Sequence, residues 1–167
     1  YDVFLLVASI PCIIYLLSYP LTYVSDNIHI LLLIFSGFTF PILLWTLQKK
    51  YIEMYRAGFF NVFFTITSAI SEEIIWRGAL IAFLQHTGLT LYYSLLFSSI
   101  GFLMLHIPIM KIKKSLYLLL FTLILVIIFW FLDIIAAIVF HVFHNLALQI
   151  FKPIQRIENR GPVSKEW

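Results

Sequence analysis

Charge is what this sequence has least of. Only 11% of its 167 residues are Asp, Glu, Lys or Arg, whereas 62% are hydrophobic and the mean hydropathy is +1.01. Soluble domains carry about 25% charged and 45–50% apolar residues, so a water-soluble chain of this composition could not cover its own surface. Cysteine is nearly absent. Cys12 alone excludes a disulfide framework within the chain, and its apolar setting reads as a small hydrophobe in a helix. Internal repeats, low-complexity tracts and a separate soluble domain are all missing. What remains is a series of apolar runs, each near the roughly 20 residues that a membrane-spanning helix needs.

The runs predict an all-α, polytopic membrane bundle of about six transmembrane helices, at residues 3–24, 28–48, 59–84, 90–109, 115–131 and 134–151. The stretch 115–151 is too long for one ordinary span, and Asp133 is a good helix start where a break is needed. Residues 1–151 then form one transmembrane domain and 152–167 a polar cytoplasmic tail. The first run is followed by further spans and reads as a retained helix rather than a removed signal.

The basic residues agree with this count. Ten of the eleven fall in the segment 49–57, in the segment 108–114 or in the tail; Arg77 is the exception, and connections one, three and five contain no Lys or Arg. Six spans put those three basic segments on one side, which the positive-inside rule makes cytoplasmic, together with both termini. The net charge of +3 therefore reflects topology and affinity for anionic lipid headgroups. Nucleic acid is not an expected partner, because the basic residues are dispersed and the seventeen Phe and nine Tyr read as lipid-facing or belt residues.

A few polar residues lie inside the runs: Glu72, Glu73 and Arg77 on the third, His106 on the fourth, and His141, His144 and Asn145 on the sixth. A charged side chain at mid-bilayer costs at least about 2.5–3.5 kcal/mol, so such residues face a protein interior or a cavity. Glu73 and Arg77 are one turn apart with the glutamate first, the favourable order for a pair. Glu72 lies about 100° round the helix and needs a partner from another helix. A carboxylate beside an imidazole can hold and deprotonate water; a His and an Asn one turn apart can donate hydrogen bonds to an oxyanion. The same groups could ligate a divalent metal such as zinc. They also admit a structural reading: Glu73–Arg77 as an ion pair, and His141 and Asn145 as hydrogen-bond glue between helices. His144 points to a different face from Asn145 and reads as a packing or interfacial residue, while His29 and His86 read as solvated ends.

Three strings narrow the choice. Glu72-Glu-Ile-Ile-Trp-Arg-Gly78 looks like the EExxxR motif of the CAAX protease and bacteriocin-processing (CPBP, or Abi) family, Phe102-Leu-Met-Leu-His106 resembles its FxxxH motif, and His141-Val-Phe-His-Asn145 its HxxxN motif. The resemblance covers residues 59–151, the motif-bearing core. It implies an intramembrane endopeptidase similar to type II CAAX prenyl endopeptidases, acting on a peptide or membrane-associated protein. By that resemblance Glu72 and His106 would activate water, His141 and Asn145 would form the oxyanion hole, and Glu73 and Arg77 would support them, with no metal in the chemistry. Trp76, where Phe is common in the family, and His144, where a small or amide residue often sits, depart from the pattern without removing a catalytic group. Self-immunity against bacteriocins through binding, or a non-enzymatic scaffold, is the competing class. The abundance of Ile, Phe and Lys points to an AT-rich bacterial genome, hence a bacterial cell membrane.

One tension is geometric. Glu72 is 14 residues (72 − 58) beyond Gly58, about 21 Å at 1.5 Å per residue, whereas His106 stands a turn or so from the cytoplasmic end of its span. The segment 58–66 is therefore expected to lie along the interface or tilt strongly, with the water cavity open to the cytoplasm. Shared water requires Glu72 and His106 to lie within about 8 Å, room for one bridging molecule and little more.

Overall fold

A computed structural model describes residues 2–17, 26–107 and 112–154. Among them the chain is all-α apart from one short two-stranded sheet. The helices are α1 (Asp2–Leu16), α2 (Asn27–Leu47), α3 (Phe59–Glu73), a π-helical segment (Ile74–Ala79) running straight into α4 (Leu80–His86), α5 (Leu91–His106), α6 (Ile112–Phe131) and α7 (Ile134–Ile150). Because α3, the π segment and α4 form one continuous rod, the described residues contain six rods, one for each apolar run. The end of the first run (18–24), residues 108–111 and the tail from 155 onward lie outside the described residues.

The helix starts follow from local chemistry. Asp26 caps α2 by accepting from the backbone N–H of His29 at 3.0 Å, a bond that also holds this exposed carboxyl below its ordinary range. Asp133 caps α7, accepting from the N–H of Ala136 at 2.7 Å, so the break between the fifth and sixth rods sits where a capping residue was expected. Hydroxyls inside the apolar helices bond back to carbonyls one turn earlier, as Thr39 does to Phe35, Thr67 to Phe63 and Thr122 to Leu118. This satisfies a polar group without a partner from elsewhere.

α7 is the central rod, packed on α2, α3 and α6. It meets α2 at small residues: a Cβ on Gly37 would stand 2.6 Å from the Phe140 carbonyl oxygen, and Ala136, Ala137 and Ala147 are fully buried. Phe102, Phe121, Leu125 and Phe140 complete the core. Outside it, large apolar side chains stand exposed on every rod but the central α7, among them Phe4, Leu47, Phe83, Tyr92 and Phe131. One helix among the described residues, Asn27–Leu47, is long and apolar enough by itself to cross a membrane; the apolar stretches of α1, α5, α6 and α7 are shorter, at 10–17 residues.

Two expectations need correction. The segment 49–57 and the start of the tail are not simple connections. Tyr51–Met54 (β1) pairs antiparallel with Phe151–Ile154 (β2), Tyr51 opposite Ile154 and Met54 opposite Phe151, and the Tyr55 N–H continues the ladder to the Ile150 carbonyl at 2.7 Å. The expected boundary at 151/152 therefore falls inside a strand. The pairing also brings the ends of α2 and α7 and the start of α3 to one end of the bundle. Second, no separate interfacial segment at 58–66 is needed to bring Glu72 level with His106, because the helix is continuous from Phe59. Counted from the turn joining α4 to α5, Glu72 is 14 residues away (86 − 72) and His106 is 15 (106 − 91), about 21 and 22 Å. α5 is short, and its last turn stops at the depth of Glu72.

Candidate active site

Glu72 and Glu73 end α3 just before the π segment, whose six residues include Arg77. π segments arise where one extra residue is fitted into a helix, and they cluster at functional sites. Ser98 of α5 donates its hydroxyl to the Trp76 carbonyl, tying the segment to the neighbouring rod. Close packing supports this contact, since a Cβ on Gly101 would meet the Trp76 ring at 2.6 Å.

Glu73 is fully buried and serves two partners through one oxygen. Arg77 Nη1 donates to its Oε1 at 3.0 Å, and His141 Nδ1–H donates to the same Oε1 at 2.7 Å. Arg77 is 1% exposed, with its guanidinium 4.4 Å above the Phe102 ring, a cation–π contact strengthened by the absence of water. Phe102 also accepts the Nδ1–H of His106 on its backbone carbonyl at 2.8 Å, and its ring lies 4.4 Å from that imidazole. The FxxxH string is thus a local device in which one residue holds both the histidine and the arginine.

These bonds orient both imidazoles. Each has its Nδ1–H engaged by an oxygen that can only accept, so each presents Nε2 inward. Both Nε2 atoms face the Glu72 carboxylate: His106 at 3.9 Å from Oε1 and His141 at 3.8 Å from Oε2. These separations are too long for direct hydrogen bonds and suit a bridging water. Glu72, 7% exposed, also lines a cleft of about 450 Å³ with Asn61, Thr65, Ser68, Asn145 and Gln149. Asn61, Thr65, Ser68 and Glu72 follow at helical spacing along α3; Asn145 and Gln149 do so on α7. The polar stripe on α3 went unremarked in the sequence, although its 4-3-4 spacing is legible there.

The structure brings Glu72, Glu73, Arg77, His106 and His141 into one cluster and sets Asn145 on the same cleft as Glu72. Asn145 is bonded to His144 rather than to His141: its Oδ1 lies 3.2 Å from His144 Nδ1. His144 is buried, stacked 4.2 Å from Phe121 and bonded through Nε2 to the Tyr117 hydroxyl. Tyr117 and Phe121, one turn apart on α6, were not singled out by sequence; nothing distinguished them among so many aromatics. His29 and His86 lie away from the cluster, the first half-buried and the second exposed. Among the described residues no group of three or more His, Cys, Asp or Glu side chains stands in a metal-holding arrangement. The donors nearest Glu72 are in part already committed, to Glu73 and to the Phe102 carbonyl.

A family model described as type II CAAX prenyl endopeptidase Rce1-like matches residues 54–147, more than half of the chain and all three motif strings. No curated protein and no solved structure matches.

Proposed function

As the chain belongs to the Rce1-like family of type II CAAX prenyl endopeptidases, a membrane-associated family of proteases, we propose that it is an intramembrane endopeptidase whose nucleophile is a water activated between Glu72 and His106. The observation that carries this reading is the Glu72 carboxylate, set 3.9 and 3.8 Å from two imidazole Nε2 atoms whose orientations are fixed from behind.

Water bonded to Glu72 Oε1 and His106 Nε2 loses a proton to the glutamate as its oxygen attacks the scissile carbonyl carbon. The resulting oxyanion accepts from the Asn145 side-chain amide and from His141 Nε2–H. For that donation His141 holds both ring protons from the outset; once Glu72 has taken the water's proton, the charges of His141 and Arg77 balance Glu73 and the oxyanion. The proton on Glu72 then passes to the leaving amine, the amine departs and the carbonyl reforms. Glu73 and Arg77 support the site: Glu73 holds His141, and Arg77 neutralises Glu73. No metal takes part.

The substrate is a peptide or a segment of a membrane-associated protein entering the polar cleft. The six rods span a bacterial cell membrane with the basic segments and both termini in the cytoplasm. Exposed apolar side chains on the five outer rods support the lipid setting, since a patch of that extent is not tolerated against water. The segments around β1 and β2 meet anionic headgroups, and nucleic acid has no part.

The test is comparative peptidomics of membranes holding the wild-type protein or Glu72→Gln, with folding followed by thermal unfolding in micelles. Cleavage products should fall by about 10²–10⁴-fold, the usual contribution of a general base, while the fold persists. Undiminished cleavage sinks the scheme. Biological activity that survives Glu72→Gln favours a binding role such as bacteriocin self-immunity. Cleavage abolished by a chelator and restored by zinc favours the metal alternative.

A further inference from the structure

The HxxxN string contains a residue that the hydrolytic scheme leaves unused. His144 lies between His141 and Asn145, 2% exposed, on a face of α7 turned toward α2 and α6. Its ring is stacked on Phe121 at 4.2 Å and lies 5.9 Å from Phe40 and 6.3 Å from Phe140. Packing holds the ring; two hydrogen bonds set its protons.

Donor and acceptor chemistry decides the direction of those bonds. His144 Nδ1 faces the amide oxygen of Asn145 at 3.2 Å, an atom that only accepts, so Nδ1 carries the hydrogen. In the neutral ring Nε2 is then an acceptor, and the group it meets is the Tyr117 hydroxyl, which donates. The hydrogens run one way: Tyr117 O–H to His144 Nε2, His144 Nδ1–H to Asn145 Oδ1. With the ring in this tautomer, turning the Asn145 amide over would set its N–H against the His144 N–H, two donors facing each other.

We propose that Tyr117 and His144 are positioning residues that hold the amide oxygen of Asn145, so that its NH₂ faces the cleft and donates to the oxyanion. This rests on the hydrolytic reading above. It explains why a buried imidazole can stand beside the asparagine without disturbing the site: the ring orients its neighbour rather than reaching the substrate. It also assigns α6, which carries none of the three motifs, a part in the reaction through Tyr117. Neighbouring residues on a helix do not ordinarily face each other, so the His144–Asn145 bond depends on the aromatic cage that tilts the ring.

Two measurements on the full chain in micelles test this. The first is kcat and KM, on a peptide taken from the peptidomics, for Tyr117→Phe and His144→Phe in wild-type and Asn145→Ala backgrounds. Tyr117→Phe removes one hydroxyl and keeps the ring, and His144→Phe suits the aromatic cage. Each should lower kcat about tenfold, less than the roughly 10²–10³-fold lost with an oxyanion donor itself, leave KM unchanged, and have no further effect once Asn145 is Ala. Losses that persist in full in the Asn145→Ala background overturn the proposal, as does an unchanged kcat. The second measurement needs no activity. The ¹⁵N-labelled side-chain NH₂ resonances of Asn145 should shift in both variants, and unmoved resonances overturn the proposal. Shifted resonances in a protein that cleaves nothing would sustain the orientation and sink only the hydrolytic reading.

Discussion

Glu73 shows how much one side chain can be asked to do. Its Oε1 receives both Arg77 and His141, and all three residues are at most 2% exposed. Removing one member of such a buried set leaves the others charged or unpaired with no water to replace it. Glu73→Leu should therefore cost about 3–5 kcal/mol of stability, read from unfolding in micelles, and Glu73→Leu with Arg77→Leu should recover part of it. A loss below about 1 kcal/mol would mean that the triad does not hold the helices together. At this scale the sequence was informative because charge inside an apolar run is anomalous on sight. Glu73–Arg77 could be paired from their spacing alone. Which histidine joined them could not, since His141 is 68 residues away from Glu73 and only packing chooses between it and His106.

Among the elements, the capped start of α7 and the number of rods were legible, because apolar periodicity and capping act within a few residues. The π segment was not. It depends on Ser98, Gly101 and the Trp76 ring coming together across two rods, and no local signal in Ile74–Ala79 announces it. The β1–β2 pair was missed for a like reason: two four-residue stretches 100 residues apart (151 − 51) acquire a ladder only once α2 and α7 end side by side. The contact of α2 with α7 makes a sharp prediction. A methyl on Gly37 would stand 2.6 Å from the Phe140 carbonyl and 3.3 Å from the His144 nitrogen, both backbone atoms that cannot turn aside. Gly37→Ala should cost about 1–3 kcal/mol, as overpacking does, and should slow cleavage as α7 shifts beneath His141 and Asn145. A thermal midpoint equal to wild type would show that the two helices separate freely.

For the whole molecule, the β1–β2 pairing joins the segment after α2 to the segment after α7 at one end of the bundle, with Lys49, Lys50, Arg56 and Lys152 near it. The α4–α5 turn, near His86, lies at the other end. In intact cells, single cysteines placed at Gln48 and Lys152 in a Cys12→Ala background should resist an impermeant thiol reagent, while one at Thr87 should react. Labelling of Gln48→Cys and Lys152→Cys from outside would invert the proposed orientation, and labelling of only one of them would break the pairing of the two ends.

The sequence by itself determined the all-α class, the number of rods and the residues that do not belong in an apolar run. These follow from composition, period and charge, properties each segment carries alone. Only the tertiary structure decided which partners those residues have: His141 on Glu73, both imidazoles turned toward Glu72, and His144 turned toward Asn145 with Tyr117 behind it. Burial removes water as the alternative partner, so each polar group must take what the neighbouring helices offer, and that is set by packing rather than by spacing along the chain.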